Sequence, residues 1–510
     1  VTSASASLVQ SVDWLTIAPP TLTALAALGV LVADLFVPAA RKQLLGRVSV
    51  GALAAALALL LPLRAGDRAT FCLTAPAQAA SHARTAGCSY TADDFTLVIQ
   101  LLVLGGALLT ALLSLPATRE KLPAGEYWFL LLSSAAGAAL LPAARDLATL
   151  VVALEVASLP AFALVGLKRG DRRSSEAALK FFLSSVTATA VTLLGASFVY
   201  AATGTLHLTE IAARLDDVPG QLQTLAETGV ALTLVGFAFK VAAVPFHFWV
   251  PDTYTGAPLP VAAYLSVVGK AVGFTGLILV TVVAFPSYAD VWGPALAVLA
   301  ALTMTAGNAA ALRQDPAREG SAVRLLAWSS VAQAGYLLVP IAAAAYSGDD
   351  QIGATVAYAL MYAVVNLGAF AVVVLVARTH PGKRLTDHVG LYATSPAAAL
   401  ALAFFLLNLA GLPPGIIGLF AKVTVFSSAV DAGLGWLAVV MGVNVVIGLA
   451  YYLRWTALLF RTPESAPATV PDGPRAPAPV TLAIVLTAAG GAVLSGYPQF
   501  ALRFVTAGLF

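Results

Sequence analysis

Gly236-Phe-Ala-Phe-Lys240-Val-Ala-Ala-Val-Pro245-Phe-His247-Phe-Trp-Val-Pro251-Asp252 sets a lysine, a proline and a histidine into a stretch apolar enough to enter a bilayer. Pro245 lies five residues after Lys240 and removes a backbone hydrogen bond from the helix it interrupts. In a membrane span such a break is tolerated where protein or water satisfies the freed groups. A second interruption, Leu409-Ala-Gly-Leu-Pro413-Pro414-Gly415, precedes Lys422 by about two turns. One broken span in each half of the chain, each beside a lysine, is the pattern of transporters built from inverted repeats. The plainer alternative is a pair of proline kinks, and the coincidence with Lys240 and Lys422 argues against it.

Working outward, composition places the whole chain in a membrane. Of 510 residues, 59% are hydrophobic and 10% are charged, against about 25% charged in soluble domains. Runs of roughly 20 apolar residues, each the length of a spanning helix, recur from end to end and number about 14. The expected fold class is therefore an all-α polytopic membrane protein. The opening Val1 to Gln10 is polar and uncharged, unlike a secretory leader, so no cleaved leader is expected. A net charge of +3 does not point to a nucleic-acid partner. Cys72 and Cys88 are the only cysteines, too few for a thiolate metal cluster; they can pair as a disulfide if their loop faces an oxidising compartment, and otherwise stay as thiols.

Assigning alternate loops to alternate sides collects 18 of the 28 basic residues on one side, among them Arg41, Lys168, Arg318 and Lys383. Six, including Arg68, Arg145 and Arg214, fall on the other. The positive-inside rule makes the larger set cytoplasmic and both termini extracytoplasmic. Four basic residues then have no loop to occupy: Lys180, Lys240, Lys270 and Lys422.

A lysine at the centre of a span costs about 2.5–3.5 kcal/mol on insertion scales, so such residues face protein or water. Lys180, close to its helix start, can instead snorkel to the interface. Glu155, in Ala148-Thr-Leu-Val-Val-Ala-Leu-Glu155-Val-Ala-Ser158, is an equally misplaced carboxylate. A buried Glu and Lys side by side either pin two helices or exchange protons near neutral pH. On a continuous helix His247 would share a face with Lys240 two turns away, placed to pass protons on. Ser329, Gln333, Tyr336, Tyr362 and Asn366 are polar positions on intervening spans, which bond between helices or hold water. The chain carries no phosphate loop, Cys/His cluster or hydrolase motif.

With these residues in view, the chain resembles the antiporter-like subunits of respiratory complex I, the NADH:quinone oxidoreductase, and among them the bacterial N type. The resemblance rests on Val32-Ala-Asp34-Leu-Phe36, the Glu155 span, Leu179-Lys180-Phe-Phe-Leu, the stretch from Phe239 to Pro260, Val267-Val-Gly-Lys270, and the run from Gly411 to Lys422. It implies two inverted five-helix repeats with broken helices 7 and 12. The implied divisions are 1–120 for helices 1–3, 121–286 for the first repeat, 287–462 for the second, and 463–510 for a Pro-rich loop and helix 14. It further implies that Glu155 modulates Lys240 with support from Lys180 and His247, that Lys270 bridges, and that Lys422 exchanges with the outside. No cofactor is implied in this chain; NADH, FMN, iron–sulfur clusters and quinone would belong to partner subunits. The implied partners are the M subunit and the small K and J subunits, in a bacterial inner membrane. One departure is Gln333, where the family often carries histidine. The alternative reading is a subunit of a multisubunit cation/proton antiporter.

Overall fold

Short polar caps between long apolar runs decide where the helices begin. Asp146 accepts the Thr149 amide at 2.7 Å and so opens the helix Leu147–Val165. Asp171 opens Arg172–Thr203 in the same way, through the Arg173 and Ser174 amides. Pro19 and Pro20 occupy the first turn of Ala18–Phe36, where a missing N–H leaves no bond unmade.

The computed structural model describes residues 12–72, 87–120, 122–462, 476–505 and 509. Thirteen helices among them are long and apolar enough to cross a bilayer. They are α1 (Ala18–Phe36), α2 (Ala39–Leu63), α3 (Asp94–Arg119), α4 (Ala124–Ala143), α5 (Leu147–Val165), α6 (Arg172–Thr203), α7 (Gly220–Lys240), α8 (Leu259–Ala284), α9 (Pro286–Leu312), α10 (Ser321–Ser347), α11 (Asp349–Val376), α14 (Gly435–Phe460) and α15 (Ala478–Gly496). Between α11 and α14 lie two shorter helices, α12 (Pro396–Ala410) and α13 (Ile416–Asp431), which share the apolar run read from the sequence as a single span. The polytopic all-helical architecture is thus as the sequence implied. Val1 to Gln10, and most of the Pro-rich segment after Pro463, lie outside the described residues.

Burial sorts the helices into an interior and a lipid-facing rim. The apolar windows of α10 and α8 are 94% and 83% buried, whereas those of α1 and α15 are 28% buried. A helix apolar all round and enclosed on every side must pack through small residues and bond its few polar groups internally.

A two-stranded antiparallel sheet closes one end, with β1 (Arg68–Cys72) paired to β2 (Cys88–Ala92). Cys72 lies directly opposite Cys88, and the two form a disulfide, which answers the question the sequence left open. Arg68 anchors the strand by bonding both Nε and Nη2 to Asp13, at 2.9 and 2.6 Å. Arg145 pairs with Asp93 at the same end.

Candidate functional site

Helix α7 ends at Lys240, and no regular structure follows until the short turn Phe246–Phe248 and the helix Trp249–Gly256. Ala242 has φ +63°, a left-handed conformation that an alanine adopts only when its surroundings impose it, and the Val244–Pro245 peptide is cis. The Trp249 indole donates to the carbonyl of Phe239 at 3.3 Å, so part of the exposed backbone is satisfied by the chain that follows.

At this helix end the Lys240 side chain is 9% exposed. Its Nζ donates to Ser185 Oγ at 2.8 Å and Ser158 Oγ at 3.1 Å, and stands 3.7 Å from Glu155 Oε1. Thr189 donates to that same Glu155 oxygen at 2.7 Å. Beside Lys240 is a cavity of about 40 Å³ lined by Ser134, Ser158, Ser185 and Tyr264, among others. A water needs roughly 10–15 Å³ by this measure, together with polar partners, and this cavity supplies both.

Lys270 begins a helical stretch directly after the widened turn Leu265–Gly269 of α8, an irregularity that often marks a functional position. It is 3% exposed, and its Nζ has no hydrogen-bond partner among the described residues. A cavity of about 20 Å³ adjoins it, with Tyr362 and Thr355 in the wall.

Lys422 lies on α13, after the second interruption. Helix α12 ends at Ala410 and is capped by Gly411, whose φ of +85° lets the chain turn away, and the Pro413–Pro414 peptide is cis. Lys422 is 8% exposed, and Nζ donates to the carbonyls of Leu409 and Ala410 at 2.8 and 2.7 Å. A cation there meets the negative end of the helix dipole and satisfies two otherwise unpaired carbonyls. The ring of Tyr336 lies 5.7 Å from Nζ.

Buried polar side chains of α8, α10, α11 and α14 bond one another between helices. Asn366 donates to Ser266 at 2.7 Å and Tyr362 to Ser330 at 2.8 Å. Gln333 accepts from Tyr358 and donates to Tyr452 at 3.2 Å, while Tyr452 also meets Ser329 at 2.5 Å.

Two sequence expectations need correction. Lys180 does not join the Glu155–Lys240 pair: it is half exposed and bonded to Glu176 at 2.8 Å and Asp252 at 3.0 Å. Together with Arg324 these line a cleft of about 340 Å³ at the basic end of the molecule. His247 does not share a helix face with Lys240, because the helix has ended; its ring instead lies 5.4 Å from that of Trp328. Sequence reading also missed Ser158, Ser185, Thr189, Tyr358 and Tyr452. The usable signal was Ser185, Thr189 and Thr192, a helically spaced polar stripe that is buried on α6. No group of three His, Cys, Asp or Glu side chains placed to hold a metal occurs among the described residues.

The family described as NADH:quinone oxidoreductase/Mrp antiporter, TM, matches residues 144–448, which include all six residues singled out from the sequence. The chain is 80% identical to NADH-quinone oxidoreductase subunit N 2 of Streptomyces griseus, covering 99% of this chain and 95% of that one. It is 46% identical to NADH-quinone oxidoreductase subunit N of Salinispora tropica, over 92% and 89%. Among solved structures, a chain of respiratory complex I from Thermus thermophilus superposes with a TM-score of 0.75 at 31% identity, covering 96% and 100%. A chain of the Mrp complex from Dietzia matches at TM-score 0.75 but 22% identity, over 96% and 100%, and so shares the fold. The sequence identities favour the complex I reading over the antiporter alternative. This chain belongs to the subunit N family of NADH-quinone oxidoreductase, the antiporter-like membrane subunits of respiratory complex I.

Proposed function

We propose that this subunit moves protons across the membrane along Glu155, Lys240, Lys270 and Lys422 while the redox chemistry takes place in other subunits. The observation that carries the reading is the Lys240 site: a buried ammonium held by two serine hydroxyls, with a carboxylate at 3.7 Å and water-sized space beside it. A pair built only to pin helices would be in direct contact and close-packed. Here the cavity beside the lysine leaves room for a proton to enter or leave by way of water. Lys270, with no protein acceptor among the described residues, suits a transient carrier, and Lys422, held by carbonyls, suits the last station before the membrane surface.

His247 and Lys180 take peripheral parts in this reading. The cleft around Lys180, Asp252 and Arg324 is the water-filled approach from the basic side, which the positive-inside rule makes cytoplasmic, leaving both termini outside. His247 lies between that cleft and Lys240 in the chain, on the turn after the break. The two interruptions belong to two inverted five-helix repeats, as in transporters whose sites sit beside discontinuous helices. NADH, FMN, iron–sulfur clusters and quinone are assigned to partner subunits. Exposed Val152 and Val156 flank Glu155 on α5, an apolar face suited to a neighbouring membrane subunit such as M, K or J.

The test is Lys240→Met in the assembled complex, with NADH oxidation and vesicle acidification followed together. Protons moved per NADH oxidised are expected to fall while assembly persists. Wild-type pumping by the fully assembled variant would defeat the assignment.

A further inference from the structure

The break after Lys240 frees backbone groups, and one of them is satisfied from outside its own half of the chain. The amides of Val241, Ala242 and Ala243 bond back to the carbonyls of Phe237, Phe239 and Ala238. The next amide, Val244, has left the helix and donates to Thr303 Oγ1 on α9 at 2.9 Å. Thr303 is fully buried and donates its own proton to Leu299 O at 2.5 Å. A hydroxyl with one proton and two lone pairs is thereby committed, the proton to its own helix and a lone pair to the break.

The surroundings show what this bond holds. Gly273 of α8 faces the break so closely that a Cβ there would lie 2.9 Å from the Lys240 carbonyl. The Lys240 backbone is thus seated on α8, and the chain four residues beyond it is tied to α9. One turn beyond Thr303, Gly307 packs against the Ala332 backbone of α10, where a Cβ would overlap the Ala332 amide. Helix α10 also carries Tyr336, whose ring faces Lys422.

We propose that Thr303 is a positioning residue for proton transfer at Lys240, a latch that fixes the broken end of α7 to the helix pair leading toward Lys422. A threonine bonded only to its own preceding turn would be ordinary helix packing. The second bond, to an amide that no helix can satisfy, distinguishes this one. Movement of the break during a transfer cycle then requires exchanging the Thr303 bond for water. This inference rests on the reading of Lys240 as a proton carrier.

The test uses the intact complex carrying Thr303→Val, which keeps the shape and removes the hydroxyl, with Thr303→Ser as the conservative rescue. Hydrogen–deuterium exchange of the peptide spanning 241–249 reports the latch directly. Exchange there is expected to be roughly fivefold faster in Thr303→Val, the loss of one ordinary hydrogen bond, and normal in Thr303→Ser. Protons pumped per NADH oxidised are expected to fall, with a displaced pH profile, in the valine variant only. Should Thr303→Val not assemble, Thr303→Ala, which admits a water to the Val244 amide, is read in the same way, with smaller effects expected. Unchanged exchange would overturn the latch. Faster exchange with an unaltered pumping profile would overturn the positioning role, as would a serine variant that behaves like valine. Pumping that survives Lys240→Met would sink the carrier reading alone, since exchange reports on Thr303 whether or not Lys240 carries protons.

Discussion

Lys240 is closer to two serines than to Glu155. Its ammonium bonds Ser185 at 2.8 Å and Ser158 at 3.1 Å, while the carboxylate stands off at 3.7 Å and is itself held by Thr189. The carboxylate is thus oriented by a neutral donor and influences the lysine across a gap.

Thr189 should therefore tune pumping through Glu155. Glu155→Gln is expected to lower proton translocation by roughly tenfold or more, as when an acid–base group leaves a transfer step. Thr189→Val removes a hydrogen bond to a charged acceptor, worth about 1.5–3 kcal/mol, and should reduce pumping less. In the Glu155→Gln background it should add little. Vesicle acidification at matched NADH oxidation measures all three.

Lys422 should support the structure as well as the transport. Lys422→Leu leaves the Leu409 and Ala410 carbonyls without their donor, at a cost of about 1–3 kcal/mol. Lys422→Gln keeps an N–H for at least one of them and should melt closer to wild type. Both should lose pumping. Thermal unfolding of the purified complex separates the two effects, and equal melting of the variants would argue against the capping role.

The disulfide reports both stability and side. Closing a loop with a sequence separation of 16 is worth about 3 kcal/mol in the chain-entropy estimate, so Cys72→Ser should loosen the β1–β2 hairpin. An impermeant maleimide added to intact cells should label these cysteines only after reduction. Labelling that requires permeabilised membranes would reverse the proposed orientation.

His388, in the loop after α11, should make stability fall in acid. The residue is buried, bonded through Nδ1 to the Arg384 carbonyl, and set edge-on to Trp455. Burial pushes its pKa down from 6.5 to about 4. The unfolded chain then binds a proton that the folded one refuses, so stability present above pH 6.5 is lost as pH falls from 6.5 toward 4. His388→Gln should flatten the melting-temperature profile in that window.

The features read most readily from sequence were those tied to local composition. Spans were legible because each must be about 20 apolar residues long, and the buried lysines because no loop was left to hold them. His247 shows the limit: its two-turn spacing from Lys240 had meaning only on a continuous helix, and the helix ends at Lys240 itself. Lys180 shows another, since Asp252 lies 72 residues away and only packing brings it alongside.

By itself, then, the sequence determined a polytopic helical membrane protein and the presence of buried charge, because hydrophobicity and the cost of an unpaired ion act within a few residues. Only the tertiary structure decided which charge meets which partner. Ser185 beside Lys240, the Ala410 carbonyl beneath Lys422, Thr303 on the Val244 amide and Cys72 opposite Cys88 are all set by how helices and strands pack, and bonds that reach about 3 Å across distant parts of a chain leave little trace in its local pattern.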